Sequence, residues 1–344
     1  MEVKKQMATK LQHLSELSVD TYKSLSDFDN WSKFLKSAAW QYKYPFADQL
    51  MIYAQRPDAT ACATLEVWNN KLHRWINKGS RGIALPRRHN GKTYISYVFD
   101  ISDTNSFYGN EVRLWQYQNR HSDAVIETLE NTFGDLSNKS SILEAVMSAA
   151  HNAIEDNKAD YLSELKYVKQ DSFLESLDSL NIDVEFQQTA ENSVAFIILE
   201  RLGYNGMEFF DRDDFSHIID FNTPSTLTLL GNVISSISEQ ALREISNTIT
   251  AENTKARKSQ EFFAENKNAD YNKDTDTKII ETVEERTDNN DRENGIQTGR
   301  RLSDTRPHIA GGEQADRQIR ENEGEILEGT PQQRVHDTSA DGQA

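Results

Sequence analysis

Residues 27–56 read DFDNWSKFLKSAAWQYKYPFADQLMIYAQR and decide the fold of the N-terminal part of the chain. Apolar residues recur there at i, i+3, i+4, i+7 and i+11, which places them on one face of a helix. These residues are Trp31, Phe34, Leu35, Ala38 and Tyr42. Asp27 or Asp29 can accept hydrogen bonds from the first turn as the N-cap. The stretch therefore predicts an amphipathic helix that buries its apolar face.

The second half of the stretch predicts another helix. Pro45 fits the first helical turn, where no backbone N–H is needed. Leu50, Met51 and Ala54 continue the helix to Gln55. It ends at Arg56, because the residue before a proline avoids helical backbone angles.

Beyond Thr64, which can cap a short helix carrying Trp68, the period changes to two. Glycines at a turn are expected to join residues 74–77 and 83–87 as a hairpin. The pair Asn90-Gly91 predicts a second tight hairpin that leads into residues 92–99. A short strand around Val112 to Trp115 completes the predicted meander.

The remaining residues divide into a helical region and a tail. Apolar faces recur at helical spacing through residues 125–250, Gly203 ends one helix, and Pro224–Ile237 and Glu239–Ile249 are expected to form a closing helical pair. Residues 251–344 hold too few apolar side chains to offset chain entropy, which predicts disorder.

The predicted fold class is therefore an α+β N-terminal domain (helices plus a small antiparallel meander), followed by an all-α region and a disordered tail. The predicted domains are an N-terminal helix or arm, a binding domain, an acidic helical domain and a tail. Their bounds are 1–26, 27–120, 121–250 and 251–344.

Charge is distributed unevenly along the chain. Residues 1–120 hold 17 Lys and Arg against 11 Asp and Glu, a net charge of +6, whereas residues 121–250 carry -16 and residues 251–344 carry -7. A basic N-terminal third suits a polyanion even when the whole chain has a net charge of -17.

Several classes of protein are excluded by simple counts. No apolar run approaches the length of a membrane span, so no membrane partner is expected. The N-terminus has no apolar signal region. The single cysteine, Cys62, rules out an internal disulfide framework and a cysteine-rich zinc site, and a reducing cytoplasm is the expected location.

Residues 29–85 resemble the N-terminal domain of antirestriction proteins of the ArdC type. The shared outline comprises QLMIYAQRP at residues 49–57, Thr64-x-x-x-Trp68, and the basic W-I-x-K-G-x-x-G-I at residues 75–83. The resemblance implies a single-stranded-DNA-binding module of the kind found on plasmids, phages and conjugative elements. Two positions depart from the outline, which often has Gly at His73 and Asn at Asp48. The carboxylate of Asp48 either weakens a phosphate-facing surface or faces the edge of the core.

A second resemblance covers more of the chain. SVAFIILERLGYN at 193–205, the stretch 213–245 and GRRLSDTRPH at 299–308 are similar to the front of very large proteins of integrative conjugative elements. Those proteins continue into a Swi/Snf-type helicase and an adenine-specific DNA methyltransferase. The resemblance implies helicase or methyltransferase components of the same element as partners.

The candidate DNA-binding residues lie mostly between residues 68 and 92, where cations alternate with aromatic rings. Cations can follow a phosphate backbone while flat rings stack on bases, as sequence-tolerant single-strand binding requires. For each tryptophan, packing in the core is the competing interpretation. The candidates are Arg56, Trp68, Lys71, Arg74, Trp75, Lys78, Arg81, Arg87, Arg88 and Lys92.

Motifs for catalysis are missing from the sequence. There is no phosphate-binding loop, no His-Glu-x-x-His zinc helix and no methyltransferase motif. Asp211, Asp213 and Asp214 lack the spacing of a calcium loop, and His217 is expected to be an ordinary surface histidine. We therefore expect a non-enzymatic protein without cofactor or metal.

Two functions remain open. The first is a single-stranded-DNA-binding accessory protein of a mobile genetic element such as a conjugative transposon, with a role in antirestriction. The alternative is a truncated or split interaction segment of a helicase–DNA methyltransferase, in which the acidic helical region docks the other parts. A helicase or methyltransferase motif at the start of the next reading frame would favour the second.

Overall fold

Three helices open the chain, and the second and third follow the predicted apolar pattern. The computed structural model describes residues 2–106, 109 and 111–287, with side chains for 6–106, 109 and 111–259. The helices are α1 (Glu2–Ser24), α2 (Phe28–Trp40) and α3 (Phe46–Gln55). Asp27 caps α2 by accepting a hydrogen bond from the backbone N–H of Asn30 at 3.1 Å. The predicted helices of residues 27–56 are confirmed.

Five short strands form two small antiparallel sheets. They are β1 (Cys62–Thr64), β2 (Trp75–Ile76), β3 (Ile83–His89), β4 (Lys92–Asp100) and β5 (Thr104–Asn105). The larger sheet has the order β1-β4-β3, and β2 pairs with β5 in the smaller one. A π-helical turn, Val67–Lys71, lies between β1 and β2.

The predicted hairpin at Asn90-Gly91 is confirmed. Both residues have positive φ, +48° and +72°, as a two-residue turn between twisted strands requires. The register runs from Ile83 opposite Val98 to His89 opposite Lys92. His73, where the ArdC-type outline often has Gly, also has a positive φ, of +50°. Glycine adopts a positive φ at the lowest conformational cost, so His73 is less favourable there than the glycine that the outline often has.

Two predicted strand features are wrong. Residues 75–76 pair with β5 and not with β3, because the side chain of Arg74 binds Thr104 through two hydrogen bonds of 2.7 and 3.0 Å. Residues 112–115 form no strand. The Trp115 indole N–H instead donates to the Tyr42 hydroxyl at 3.1 Å, so a side-chain contact fastens this segment to the bend between α2 and α3.

Glutamine side chains join α3 to its neighbours. The side-chain amide of Gln55 donates to the carbonyl oxygen of Ala84 and accepts from its N–H, at 3.0 and 2.9 Å. It thereby pairs with β3 as a further strand would. Gln49, which is buried, donates to the carbonyl oxygens of Gln41 and Tyr44 and fixes the bend between α2 and α3.

The rest of the described chain is helical. Its α-helices are α4 (Ser122–Phe133), α5 (Ile142–Glu155), α6 (Lys158–Val168), α7 (Ser179–Leu202) and α8 (Pro224–Thr287). Gly203 ends α7 with a φ of +93°, as predicted. The α+β part followed by an all-α region confirms the fold class.

The predicted closing pair of helices is wrong, since α8 runs without a break through residues 237–239. Nothing at that point interrupts a helix, because neither proline nor glycine occurs there. Of the predicted disordered tail, residues 251–287 belong to α8, and residues 288–344 lie outside the described residues. None of the described helices is long and apolar enough to cross a membrane.

The chain divides into two units, Met1–Thr250 and Ala251–Ala344. Within the first unit, one apolar core crosses the predicted boundary at residue 120 and draws on α2, α3, α4, α5, α7 and α8. Trp31 is fully buried in it and donates from its indole N–H to the Ser193 hydroxyl of α7 at 3.1 Å. A smaller cluster, which includes Leu14, Ile52 and Leu85, lies between the sheet and helices α1 and α3.

Gly231 lets α8 approach α3 closely. A Cβ atom at this position would lie 2.4 Å from the ring of Phe46, which is itself buried. We predict that Gly231→Ala destabilises the protein by about 1–3 kcal/mol, because overpacking outweighs the roughly 1 kcal/mol that alanine gains in helix propensity. Urea unfolding measures this change in free energy.

The matched control is Asn232→Ala, at the exposed neighbouring position on the same helix. It should leave stability unchanged or raise it by a few tenths of a kcal/mol. If Gly231→Ala were as stable as the unsubstituted protein, or more stable, the close packing of α8 on Phe46 would be contradicted.

Candidate nucleic-acid interface

The ten predicted DNA-binding residues occupy different environments. One lies in the core, three are bound to other protein groups, two are half-buried and four are exposed. In that order they are Trp68; Arg56, Arg74 and Arg87; Lys71 and Trp75; and Lys78, Arg81, Arg88 and Lys92.

Trp68 belongs to the core. It retains 1% of its accessible surface, and its indole N–H donates to the carbonyl oxygen of Phe99 at 2.8 Å. The ring therefore fixes the π-helical turn against β4 and offers no free face to a base. Trp75, in contrast, is half-buried on β2.

Arg56 and Arg74 bind the segment around β5. The guanidinium of Arg56 forms an ion pair with Asp103 and donates to the Ser102 hydroxyl at 2.8 Å. Arg74 binds the hydroxyl and carbonyl oxygens of Thr104. These two arginines stabilise the fold, which explains their positions without a ligand.

Arg87 forms an ion pair with Asp48 of α3, with a distance of 2.5 Å between Nη1 and Oδ1. The hydrogen bond that Arg87 donates to Asp48 raises the pKa of Arg87 above its ordinary value. Asp48 lies at the edge of the core, which is the second of its two predicted positions, since its side chain is only 7% exposed.

The acidic side chains beside the sheet are engaged as well. Burial alone would raise the pKa of Asp100, but hydrogen bonds from Ser102, Ala61 and Thr60 lower it below its ordinary value. Asp48 and Asp103 are paired with arginines. Negative charge near the sheet is therefore largely compensated from within the fold.

Four predicted cations remain at the surface. Lys78, Arg81, Arg88 and Lys92 are all exposed and make no ion pair or side-chain hydrogen bond with the residues that the structure describes. We call them the cationic rim. Lys78 and Arg81 lie at the turn before β3, and Arg88 and Lys92 flank the Asn90-Gly91 turn.

Exposed tyrosines lie on β4 between the two ends of this rim. Tyr94 is 45% exposed and Tyr97 is 39% exposed. The ammonium of Lys10 on α1 lies 4.7 Å from the centroid of the Tyr97 ring, so α1 contributes a further cation here. Sequence reasoning did not select Lys10, because its contact with the strand joins residues that are far apart in the chain.

Gly82 serves the sheet rather than a ligand. A Cβ atom there would lie 3.0 Å from the Phe99 ring and 3.1 Å from the Tyr97 ring. The absence of a side chain at Gly82 thus permits the close approach of these two aromatic rings. Gly79, with a φ of +94°, forms the preceding turn.

A second group of cations, which the sequence analysis missed, lies by α2 and α7. Arg201 is 6% exposed and stacks on Trp115, with its guanidinium carbon 3.5 Å from the ring centroid. Burial lowers the pKa of Arg201 to about 10. Burial, followed by the charges of Arg243 and Arg201, lowers the pKa of Lys43 to about 8. These side chains stabilise the core rather than extend the cationic rim.

One group of side chains in the described part of the chain has the spacing of metal ligands: Glu185, His217 and Asp220. It lies in the helical region, on elements other than those of the cationic rim.

Comparisons of this chain with protein-family models, curated proteins and solved structures found no match.

The adjacent residues Arg87 and Arg88 are predicted to respond differently to substitution. Arg87→Ala should lower the free energy of unfolding by about 1–2 kcal/mol, because it leaves the buried carboxylate of Asp48 without a partner. The effect should be smaller than for a fully buried ion pair, since the Arg87 side chain is partly exposed to solvent. Arg88→Ala should change it by less than about 0.5 kcal/mol, as is usual at an exposed site. Urea unfolding of both variants tests this, and equal effects would contradict the division of the cations.

Proposed function

We propose that this chain binds single-stranded DNA through the cationic rim and the exposed face of Tyr94. The observation that carries the proposal is the set of four exposed, uncompensated cations around a sheet whose neighbouring carboxylates are already paired. The resemblance of residues 29–85 to ArdC-type domains supports the same function.

The dimensions of the hairpin suit an extended strand. A seven-residue β-strand such as β3 is about 24 Å long, and the cations lie at both of its ends. A nucleic-acid backbone that follows this length would meet positive charge at each end. Lys and Arg contacts to phosphate supply most of the sequence-independent affinity of such complexes.

Tyr94 supplies the contact that favours single strands. Its ring is nearly half exposed on β4, opposite Arg87. An unpaired base can stack on such a ring, and each stacking contact contributes about 1–3 kcal/mol. In a duplex the bases already stack on each other, so this contribution is reserved for single strands.

The biological role that fits this binding is that of a non-enzymatic accessory protein of a mobile genetic element, with antirestriction as its purpose. The alternative is an interaction segment of a helicase–DNA methyltransferase. The net charge of -16 over residues 121–250 favours a protein partner for that region, because such a surface repels a polyanion within a Debye length of about 8 Å.

The salt dependence of binding tests the cationic rim. Each lost phosphate contact on a single strand should reduce the slope of log K against log salt by about 0.7. The double variants Lys78→Ala/Arg81→Ala and Arg88→Ala/Lys92→Ala should therefore each reduce the slope by roughly 1.4 and weaken binding to all sequences alike. Fluorescence anisotropy with a labelled oligothymidine, between about 50 and 300 mM salt, measures it.

The charge-matched control is Lys33→Ala/Lys166→Ala, which removes two exposed cations from α2 and α6. It should leave the slope nearly unchanged. In the same assay, Tyr94→Ala should weaken binding at an unchanged slope, whereas Tyr94→Phe should retain the affinity. An unchanged slope in both rim variants would show that DNA binds elsewhere or is not a ligand, and tighter binding of a duplex would contradict the preference for single strands.

A further inference from the structure

Three side chains that can ligate a metal converge in the acidic helical region. Glu185 lies on α7, and His217 and Asp220 lie on the 3₁₀ segment Asp213–Phe221. His217 Nδ1 is 3.6 Å from Glu185 Oε1 and 3.8 Å from Asp220 Oδ2. The three ligand atoms all lie within 4.8 Å of one another.

The local fold explains why these groups meet. Side chains at i and i+3 eclipse one another in a 3₁₀-helix, which aligns His217 with Asp220. The same spacing aligns the apolar residues Ile218 and Phe221, which are buried against the core, and Phe215 at the kink of the segment is buried there as well. Burial of that apolar row fixes the rotation of the segment.

The carboxylate of Glu185 lacks compensation. Glu185 retains only 9% of its accessible surface, and its Oε2 atom has no hydrogen-bond partner. A buried carboxylate beside a second carboxylate is unfavourable unless a proton or a cation joins them.

Two cations of the neighbouring helices are engaged with other groups. Lys158 on α6 pairs with Glu155 and Asp183. His151 on α5 contacts Glu191. His217, whose side chain is one-third exposed, is the one cationic group among the described residues that pairs with these two carboxylates.

We propose that Glu185, His217 and Asp220 form a binding site for a divalent transition-metal ion, and that zinc is the ion they fit best. Two ligands at about 2.1 Å from a tetrahedral zinc ion are about 3.4 Å apart, close to the two distances to His217 Nδ1. One imidazole and two carboxylates suit zinc, manganese or iron, whereas calcium requires six to eight oxygen ligands. Three protein ligands leave a coordination position open to water.

Little in the sequence indicates this site. Asp211, Asp213 and Asp214 are clustered in the sequence, but they form hydrogen bonds with one another. The backbone N–H of Asp213, for example, donates to Asp211 Oδ1 at 2.8 Å. The third ligand, Glu185, lies on another helix. The proposed site differs from the expectation that His217 is an ordinary surface histidine and that the chain holds no metal.

The test uses the full chain without an affinity tag, freed of metal with a chelator and then titrated with zinc at about pH 7.5. We expect the melting temperature to rise with zinc and more weakly with manganese. Glu185→Gln, which preserves shape, should weaken zinc binding at least tenfold, since even residues that only support ligands contribute 10–100-fold. It should also raise the melting temperature of the metal-free chain, because it removes the buried charge.

His217→Gln provides a second variant at a more exposed position and should also lose zinc binding. The control is His151→Ala, which disrupts another histidine–glutamate pair and should bind zinc as the parent does. The proposal is overturned if neither zinc nor manganese raises the melting temperature of the parent chain, or if both ligand variants bind zinc with the parent affinity. The first of these results would mean that a proton alone joins the two carboxylates.

Discussion

Burial of Trp31 is the constraint on which the rest of the first unit depends. Its ring lies fully inside the shared core, and its indole N–H binds Ser193 of α7. The neighbouring Phe34 packs edge-on against Phe46 of α3, with ring centroids 5.5 Å apart. Helix α2 thereby fixes α3 relative to α7, and α3 in turn holds the edge of the sheet through Gln55. The surface that carries the cationic rim is thus positioned by the helical region, although that region has the opposite charge.

Ion pairing inside the fold determines which cations face solvent. Asp48 and Asp103 each bind one arginine, and those arginines then serve the fold. Arg88 and Lys92 have no such partner among the described residues and keep their full charge at the surface. Surface electrostatics of this part of the chain therefore depend on the placement of a few buried carboxylates as much as on the number of basic residues.

Features set by neighbouring residues were predictable from the sequence. Asp27 at a helix start, Asn90-Gly91 in a hairpin and Gly203 at a helix end each follow from local backbone chemistry. Arg87 and Arg88 are indistinguishable by composition, and only a contact with α3 separates them. The pairing of β2 with β5 likewise rests on a contact between distant residues, Arg74 and Thr104. Periodicity indicates which side chains are buried, but it does not indicate which residues they contact in the core.

The outer edge of β3 has a consequence for how the molecule behaves in a crowded solution. Alternate residues of an edge strand direct their N–H groups away from the sheet, where a strand of another molecule can add. At Ala84 that N–H is already bonded to Gln55, and two residues on, Pro86 has no N–H to offer. Arg88, the next in the series, brings a charge that repels an identical edge. The sheet is thus protected against growth into intermolecular aggregates at the edge beside the basic surface.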